Sequence, residues 1–494
     1  MKELSILEKL KEIANHSFVY GLGSVIQSAL AILLVPLYTR QFSIAEFGVF
    51  SVCIIFGTLL GNLFSVGIAS SLSRSYFDVD TTVHKQRVIG TSIILASLCV
   101  ICQLSLGYVF SQYASLMLFK NNLYTSHVTL VLVWSALANF NNIFFVILRF
   151  QKLSKQVVAI NLISLVSSVI IIYLCVVIFN LGVKGALIGM CLNQAVLLFL
   201  LWFFSRGFLS LKFSLNEAKR QIAFGIPIAC TTVSYFLIIS MDRFVANEFL
   251  SLEQVGVYSL AIIIGSSVNL LFVMPFGQIW SPMRMQYRHD SNADVFYKIV
   301  LTYYFLIGFL VTVPVSVFSK EIIYLISGSA EYSEAWLVVP IVMTAYLVDG
   351  CVKIIDNGLY FARKVGYHAF VYAGCVVFNS IANIFLIPRF GYLFGALNLL
   401  LTFVITTLVL SFFSNRIEPI NFEGKRLLKI VGSFMVVMLT VRGLANLNVG
   451  FYTELVLKLS ICSLFFVYVF FNILLQTERR SILASGLRLL NKGT

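Results

Sequence analysis

The chain has 494 residues, of which 59% are apolar and 11% are charged. An ordinary soluble domain carries about 25% charged residues, so this composition excludes a soluble globular protein, a disordered chain and a nucleic-acid-binding domain. The 35 Lys and Arg outnumber the 21 Asp and Glu, and they lie mainly in short gaps between apolar runs, as in membrane proteins. We therefore predict an all-α polytopic membrane protein that does not bind nucleic acid.

Residues 1–16 mix charges with Leu and Ile at helical spacing, which predicts an amphipathic segment at the membrane surface. Apolar runs follow, each long enough for a membrane-crossing helix, which needs about 20 mostly apolar residues. There are fourteen runs: 17–38, 48–72, 88–110, 127–148, 157–179, 186–204, 222–241, 255–279, 299–318, 336–361, 367–387, 393–413, 430–447 and 454–475. The remaining residues, 476–494, are predicted to form a basic cytoplasmic tail.

The basic residues also predict the orientation of the chain. When the N-terminus is placed in the cytoplasm, 26 Lys and Arg fall in inner segments and six in outer segments. Cytoplasmic loops usually carry this excess, so both termini are predicted to be cytoplasmic. The outer six are Arg40, Lys120, Lys184, Arg243, Lys320 and Arg389, and Lys353, Arg442 and Lys458 lie within apolar runs.

The sequence contains an internal repeat at an interval of about 208 residues. The clearest match pairs residues 43–51 with residues 251–259, and three shorter motifs recur in the same order. The repeat predicts two parallel six-helix lobes, an N-lobe (17–204) and a C-lobe (222–413), joined by a cytoplasmic linker (205–221). Residues 414–475 form two extra helices. Two such lobes predict a substrate site between them and transport by alternating access.

Several motifs resemble those of the polysaccharide transporter family. They are PLYTR at 36–40, SIAEFGVFS at 43–51, SLSRSYF at 71–77, FGIP at 224–227, Asp242-Arg243, and IPRFGYLFGA at 387–396. This family belongs to the multidrug, oligosaccharidyl-lipid and polysaccharide exporter superfamily and includes the O-antigen (Wzx-type) flippases. The resemblance implies a flippase of the bacterial inner membrane. It would move a polyprenyl-diphosphate-linked oligosaccharide unit from the cytoplasmic to the periplasmic leaflet.

The resemblance also implies a transporter without a bound cofactor, coupled to an H⁺ or Na⁺ gradient. Besides the lipid-linked oligosaccharide, the expected partners are membrane lipids, a polysaccharide polymerase and chain-length proteins. A drug or organic-cation exporter and a lipid II flippase are alternatives within the superfamily. A membrane glycosyltransferase or polysaccharide polymerase is the alternative from another class. Such an enzyme would need a large loop with catalytic carboxylates.

Cations are the candidate ligands for the diphosphate of such a substrate. Arg74 and Arg284 are equivalent positions of the repeat at the cytoplasmic ends of their helices, and two guanidinium forks suit a diphosphate. Arg40, Arg243 and Lys353 are further candidates. The alternative interpretation is that these residues only anchor and orient the helices.

Carboxylates within the apolar runs are the candidates for ion coupling, because charges at membrane depth are costly and usually functional. Asp349, Lys353 and Asp356 share one helical face, and we expect Lys353 to neutralise one carboxylate at a time. At an offset of 214 residues, the N-lobe has the neutral set Ser135, Asn139 and Asn142. Asp242 is the third candidate, with Arg40 as a possible partner. The alternative for all of them is structural ion pairing. No metal site is predicted.

Overall fold

The structure is a computed structural model that describes residues 33–151, 153–288, 293–362, 364, 366–420, 422–445, 447 and 450–474. Within these ranges every regular element is a helix. The predicted amphipathic segment 1–16, most of the first predicted span and the predicted tail 476–494 lie outside the described residues. Of the first span, only helical residues 33–41, here called α1, are described.

Six helices follow α1 in the predicted N-lobe. They are α2 (Ile44–Ser65), α3 (Ile68–Phe77), α4 (Thr82–Phe119), α5 (Thr125–Phe150), α6 (Ser154–Tyr173) and α7 (Gly182–Ser205).

The predicted C-lobe and the two extra spans contain α8 to α18. They are α8 (Leu215–Phe249), α9 (Leu252–Gly265), α10 (Met274–Gln286), α11 (Ala293–Val317), α12 (Ser319–Ser327), α13 (Val339–Ile355), α14 (Asn357–Phe361), α15 (Gly366–Phe390), α16 (Tyr392–Asn415), α17 (Gly424–Ala445) and α18 (Phe451–Tyr468). Helix α8 begins within the predicted linker 205–221.

Hydropathy predicted the membrane-crossing helices well. The described residues contain 12 helices that are long and apolar enough to span a membrane. A thirteenth candidate is the pair Ala330–Leu337 and Val339–Ile355, which is bent by 42°. These thirteen correspond in order to the second to fourteenth predicted spans. The predicted all-α polytopic membrane fold is therefore confirmed.

The two copies of the repeat share local geometry. Ser43 and Ser251 each cap the following helix, α2 or α9, in a capping box with the third helical residue. Both spans are then interrupted at corresponding places. The first breaks between α2 and α3 at Val66 and Gly67, which adopt left-handed conformations. The second contains a π-helical turn at Asn269–Val273, between α9 and α10.

Near the starts of α2 and α9, the predicted lobes meet through equivalent glycines. A Cβ on Gly48 would collide with the carbonyl oxygen of Leu252, and a Cβ on Gly256 would collide with that of Ile44. The two helices therefore cross in backbone contact, which only glycine permits. An ion pair of 3.0 Å between Lys120 Nζ and Glu248 Oε1 also joins the lobes at this end.

At the opposite end, α8 connects the lobes. Its first turns contact the N-lobe, where Ser71 Oγ donates to the Gln221 carbonyl oxygen (2.8 Å) and Arg220 Nη2 pairs with Asp78 Oδ2 (2.6 Å). Its later turns contact the C-lobe, where Tyr235 Oη donates to Asp349 Oδ2 (2.9 Å). One helix thus packs on both halves of the molecule.

Candidate functional site

Helix α13 is the central helix of the C-lobe. It packs against α9, α10, α11 and α16, and eleven of its 17 residues are buried. Lys353 is the only exposed residue of Val339–Ile355. Most of α13 is thus enclosed, and Lys353 is its most exposed residue.

Lys353 does not form the predicted ion pairs with Asp349 and Asp356. Among the residues that the structure describes, no carboxylate lies within 4.0 Å of its ammonium. Its side chain instead passes over Gly277 of α10, where a Cβ would lie 2.5 Å from Nζ. The expected close ion pairs are therefore wrong, because other helices bring nearer partners to both carboxylates, although Lys353 still interacts with both electrostatically.

Asp349 and Asp356 have separate partners. Asp349 accepts the hydrogen bond from Tyr235 of α8. Asp356, at the end of α13, binds two groups: Arg284 Nη1 lies 3.0 Å from its Oδ1, and His368 Nε2 lies 3.0 Å from its Oδ2. A charged carboxylate only accepts hydrogen bonds, so the imidazole donates through Nε2.

Arg284 is held on several sides. Its guanidinium carbon stacks 3.4 Å from the centre of the Tyr360 ring, and Nη1 also donates to the Lys353 carbonyl oxygen (3.3 Å). Its own carbonyl oxygen accepts from Tyr297 Oη (2.9 Å). Only 10% of its side chain is exposed. These contacts fix the arginine beside the end of α13.

His368 is a site residue that the sequence analysis missed. It lies in the first turn of α15, and its Nδ1 is buried without a hydrogen-bond partner among the described residues. Its separation of 12 residues from Asp356 matches no helical face or metal motif, so the sequence contains no signal for this contact. Within the described residues, no three His, Cys, Asp or Glu are grouped to hold a metal ion.

Arg74, the repeat equivalent of Arg284, has a different environment. Its side chain is 59% exposed, and its Nε lies 3.8 Å from Asp78 Oδ2. Its guanidinium carbon lies 4.4 Å from the centre of the Phe224 ring of α8. The two arginines are therefore equivalent in sequence but not in burial or pairing.

Asp242 and Arg243 lie together inside the C-lobe. Asp242 is buried and accepts from Tyr258 Oη and from the Arg243 backbone N–H (2.7 Å). The Arg243 Nε lies 3.8 Å from the same carboxylate. Arg40, the expected partner, donates instead to the Leu325 carbonyl oxygen (2.9 Å). The expected Arg40–Asp242 pair is therefore wrong, because the Arg40 guanidinium is bonded to α12 while Asp242 is bonded to Tyr258 and Arg243.

The N-lobe counterpart of the charged stripe is neutral and hydrogen-bonded. Gln103 Nε2 donates to Ser135 Oγ (2.7 Å), and Asn139 Nδ2 donates to the Gly61 carbonyl oxygen (2.6 Å). Asn139 and Asn142 line a small cavity with residues of α2, α3 and α4. This stripe ties α5 to α4 and α2.

Solved structures share this fold. The lipid II flippase MurJ in an inward closed conformation has a TM-score of 0.73 at 14% identity, over 92% of this chain and 99% of that chain. An inward-facing MATE multidrug transporter of the MOP superfamily has a TM-score of 0.67 at 13% identity, over 80% and 94%. A mutant of the Vibrio cholerae MATE transporter VcmN has a TM-score of 0.60 at 12% identity, over 82% and 97%.

A family match agrees with these likenesses. No curated protein sequence matches the chain. Residues 13–288, more than half of the chain, match the family described as polysaccharide biosynthesis protein. The chain belongs to this family, and it is a multi-pass membrane protein whose fold is similar to the folds of MurJ and of the MATE transporters.

Proposed function

We propose that the protein is a flippase for a polyprenyl-diphosphate-linked oligosaccharide, such as an O-antigen unit. It works in the bacterial inner membrane with both termini in the cytoplasm. One observation carries the proposal: exposed Lys353 lies in the last turn of α13, its carbonyl oxygen accepts from the held Arg284 guanidinium, and no carboxylate among the described residues lies within 4.0 Å of its ammonium. Two adjacent cations within a membrane protein of a polysaccharide biosynthesis family suit a diphosphate.

The two cations would help the polar head of the lipid to cross the membrane. A diphosphate and a glycan cannot enter hydrocarbon without a large desolvation cost. The prenyl tail is apolar and can remain in the bilayer while the head passes between the lobes. Lys353 serves as the mobile cation for the diphosphate, because an exposed ammonium loses no ion pair when it binds.

We propose H⁺ as the coupling ion, because Asp356 is shared between Arg284 and His368. A proton on His368 gives Asp356 a second cationic partner. Asp356 then no longer depends on Arg284 alone, and the guanidinium, still stacked on Tyr360, can share its charge with a phosphate. Further ionisable groups around this cluster are Lys353, Tyr297, Tyr360 and Tyr372.

The test is transport in proteoliposomes with a fluorescent polyprenyl-diphosphate oligosaccharide. Lys353→Ala should lower the transport rate about tenfold or more, because one charge-assisted contact to the diphosphate is lost. Lys184→Ala, which also removes an exposed cation, should transport like wild type. An unchanged rate for Lys353→Ala, at equal protein level, would contradict the proposal.

The same assay separates the alternatives within the superfamily. Lipid II and an organic cation are offered as competing substrates at equal concentration. Preference for the lipid-linked oligosaccharide supports the proposal. Faster transport of lipid II or of the cation identifies one of the alternatives instead. The exposed ammonium of Lys353 would repel an organic cation.

A further inference from the structure

A second cavity lies where α1, α12 and α18 meet, away from the Arg284 cluster. Its volume is about 710 Å³. We call it the outer pocket, because its basic residues belong to the predicted outer segments. The residues that matter here are Arg40, Lys320, Glu321, Tyr324, Phe451 and Glu454.

The acidic residues of the outer pocket are already paired. Lys458 of α18 is buried, with 4% of its side chain exposed. Its Nζ lies 2.5 Å from Glu321 Oε1 and 2.8 Å from Glu454 Oε1. Two carboxylates thus share one cation, which leaves one negative charge on this triad.

The basic residues of the outer pocket are not paired. In the described part of the chain, neither Arg40 nor Lys320 has a carboxylate within 4.0 Å. Arg40, Lys320, Glu321, Glu454 and the buried Lys458 behind the pocket together carry one net positive charge. The predicted outer segments contain only six basic residues, and two of these line this one cavity.

The outer pocket also lies at the ends of membrane-crossing helices. The span Val295–Val317 ends three residues before Lys320, and the span Phe451–Ile473 begins at Phe451. Span ends fall at the level of the lipid headgroups. Exposed Tyr324 and Phe451 give the pocket an apolar wall, and aromatic side chains are typical of this depth.

We propose that the outer pocket binds an anionic glycerophospholipid from the adjacent leaflet. Arg40 and Lys320 contact the phosphate, and the apolar wall contacts an acyl chain. Arg40 and Thr39 of α1 donate to the carbonyl oxygens of Leu325 (2.9 Å) and Ile326 (3.3 Å) of α12. The pocket thus joins the predicted N-lobe to the C-lobe, and a bound lipid stabilises this arrangement of the lobes. This inference does not rest on the proposed substrate.

The experiment measures phospholipid binding to the purified full-length protein in detergent by native mass spectrometry. Phosphatidylglycerol should bind more tightly than phosphatidylcholine of the same chain length. Each basic residue near a membrane surface contributes about 1 kcal/mol, or about fivefold, so the Arg40→Gln, Lys320→Gln double variant should bind phosphatidylglycerol about 30-fold more weakly. The Lys184→Gln, Arg389→Gln double variant removes two exposed outer cations elsewhere and should bind like wild type.

A single variant that is expected to stay folded keeps the test valid if the double variant misfolds. Arg40 holds α12, so its replacement can unfold the protein, whereas Lys320 is exposed at the surface. Lys320→Gln alone should stay folded by size-exclusion chromatography and bind about fivefold more weakly. Equal binding of the two lipids, or wild-type binding by Lys320→Gln, would overturn the proposal. Displacement of phosphatidylglycerol by an equal concentration of inorganic phosphate would overturn it too, because the site would then be a simple anion site.

Discussion

Helices α5 and α13 occupy equivalent places in the two lobes, and a 3₁₀ turn precedes each of them. Their polar stripes differ in charge. Ser135 and Asn139 of α5 make hydrogen bonds that tie neighbouring helices together. At the corresponding positions Asp349 accepts one hydrogen bond, and Lys353 has no carboxylate partner among the described residues.

The polar stripe of α5 holds helices together, whereas the stripe of α13 carries charges. Uncharged amides and hydroxyls satisfy each other inside the membrane at small cost, whereas charges at that depth are expensive and are kept for function. The two copies of the repeat therefore share their helices, while only the stripe of α13 contains an exposed cation, Lys353.

The largest expected effect is the loss of stability when Arg284 is replaced, compared with replacement of its repeat equivalent, Arg74. Arg284→Ala leaves Asp356 buried beside His368 alone, and breaking a buried pair costs about 3–5 kcal/mol. Arg74→Ala removes an exposed contact worth about 0–1 kcal/mol. Thermal unfolding in detergent measures both variants. Similar destabilisation by the two replacements would mean that the lobes are not asymmetric in this respect.

A smaller effect is expected where Lys353 crosses α10. Gly277→Ala places a methyl group against the Lys353 side chain, and such overpacking costs about 1–3 kcal/mol. Transport should fall because the ammonium moves. Gly374→Ala is the control, since no atom lies within 4 Å of the added Cβ. If both variants transport equally well, the position of Lys353 is unimportant.

The third prediction concerns coupling. His368→Gln retains one hydrogen-bond donor but no titratable group, so it should cost only about 1 kcal/mol of stability. An imposed pH gradient should no longer accelerate transport in proteoliposomes, whereas it should still accelerate transport by wild type. Asn142→Gln, in the neutral stripe, provides the matched control. A full response of His368→Gln to the gradient would exclude His368 as the proton site.

The smallest effect is expected in the N-lobe. Asn139→Ala loses one hydrogen bond to Gly61, which contributes about 0.5–1.5 kcal/mol. It should lower the unfolding temperature slightly and leave the response to a pH gradient intact. Loss of that response would show that the neutral stripe also takes part in coupling.

The site was predicted less completely than the fold. Asp349, Lys353 and Asp356 were identified because charges inside apolar runs are conspicuous. Their expected pairing was wrong, since spacing along one helix says nothing about Tyr235 and His368 on other helices. Arg40 was given as a possible partner of Asp242 because both residues lie near the outer ends of their predicted spans. Its actual neighbour, α12, follows it by nearly 300 residues of sequence.

By itself, the sequence determined the membrane class, the order of the spans, the repeat and the family, because hydropathy and linear motifs are properties of contiguous residues. The bilayer requires each crossing helix to satisfy its own backbone, so apolar runs of sufficient length must become helices. Only the tertiary structure decided that Arg284 is buried while Arg74 is exposed, and that Asp356 is shared with His368. Ion-pair partners depend on atoms a few ångströms apart, and helix packing alone brings such distant parts of the chain that close.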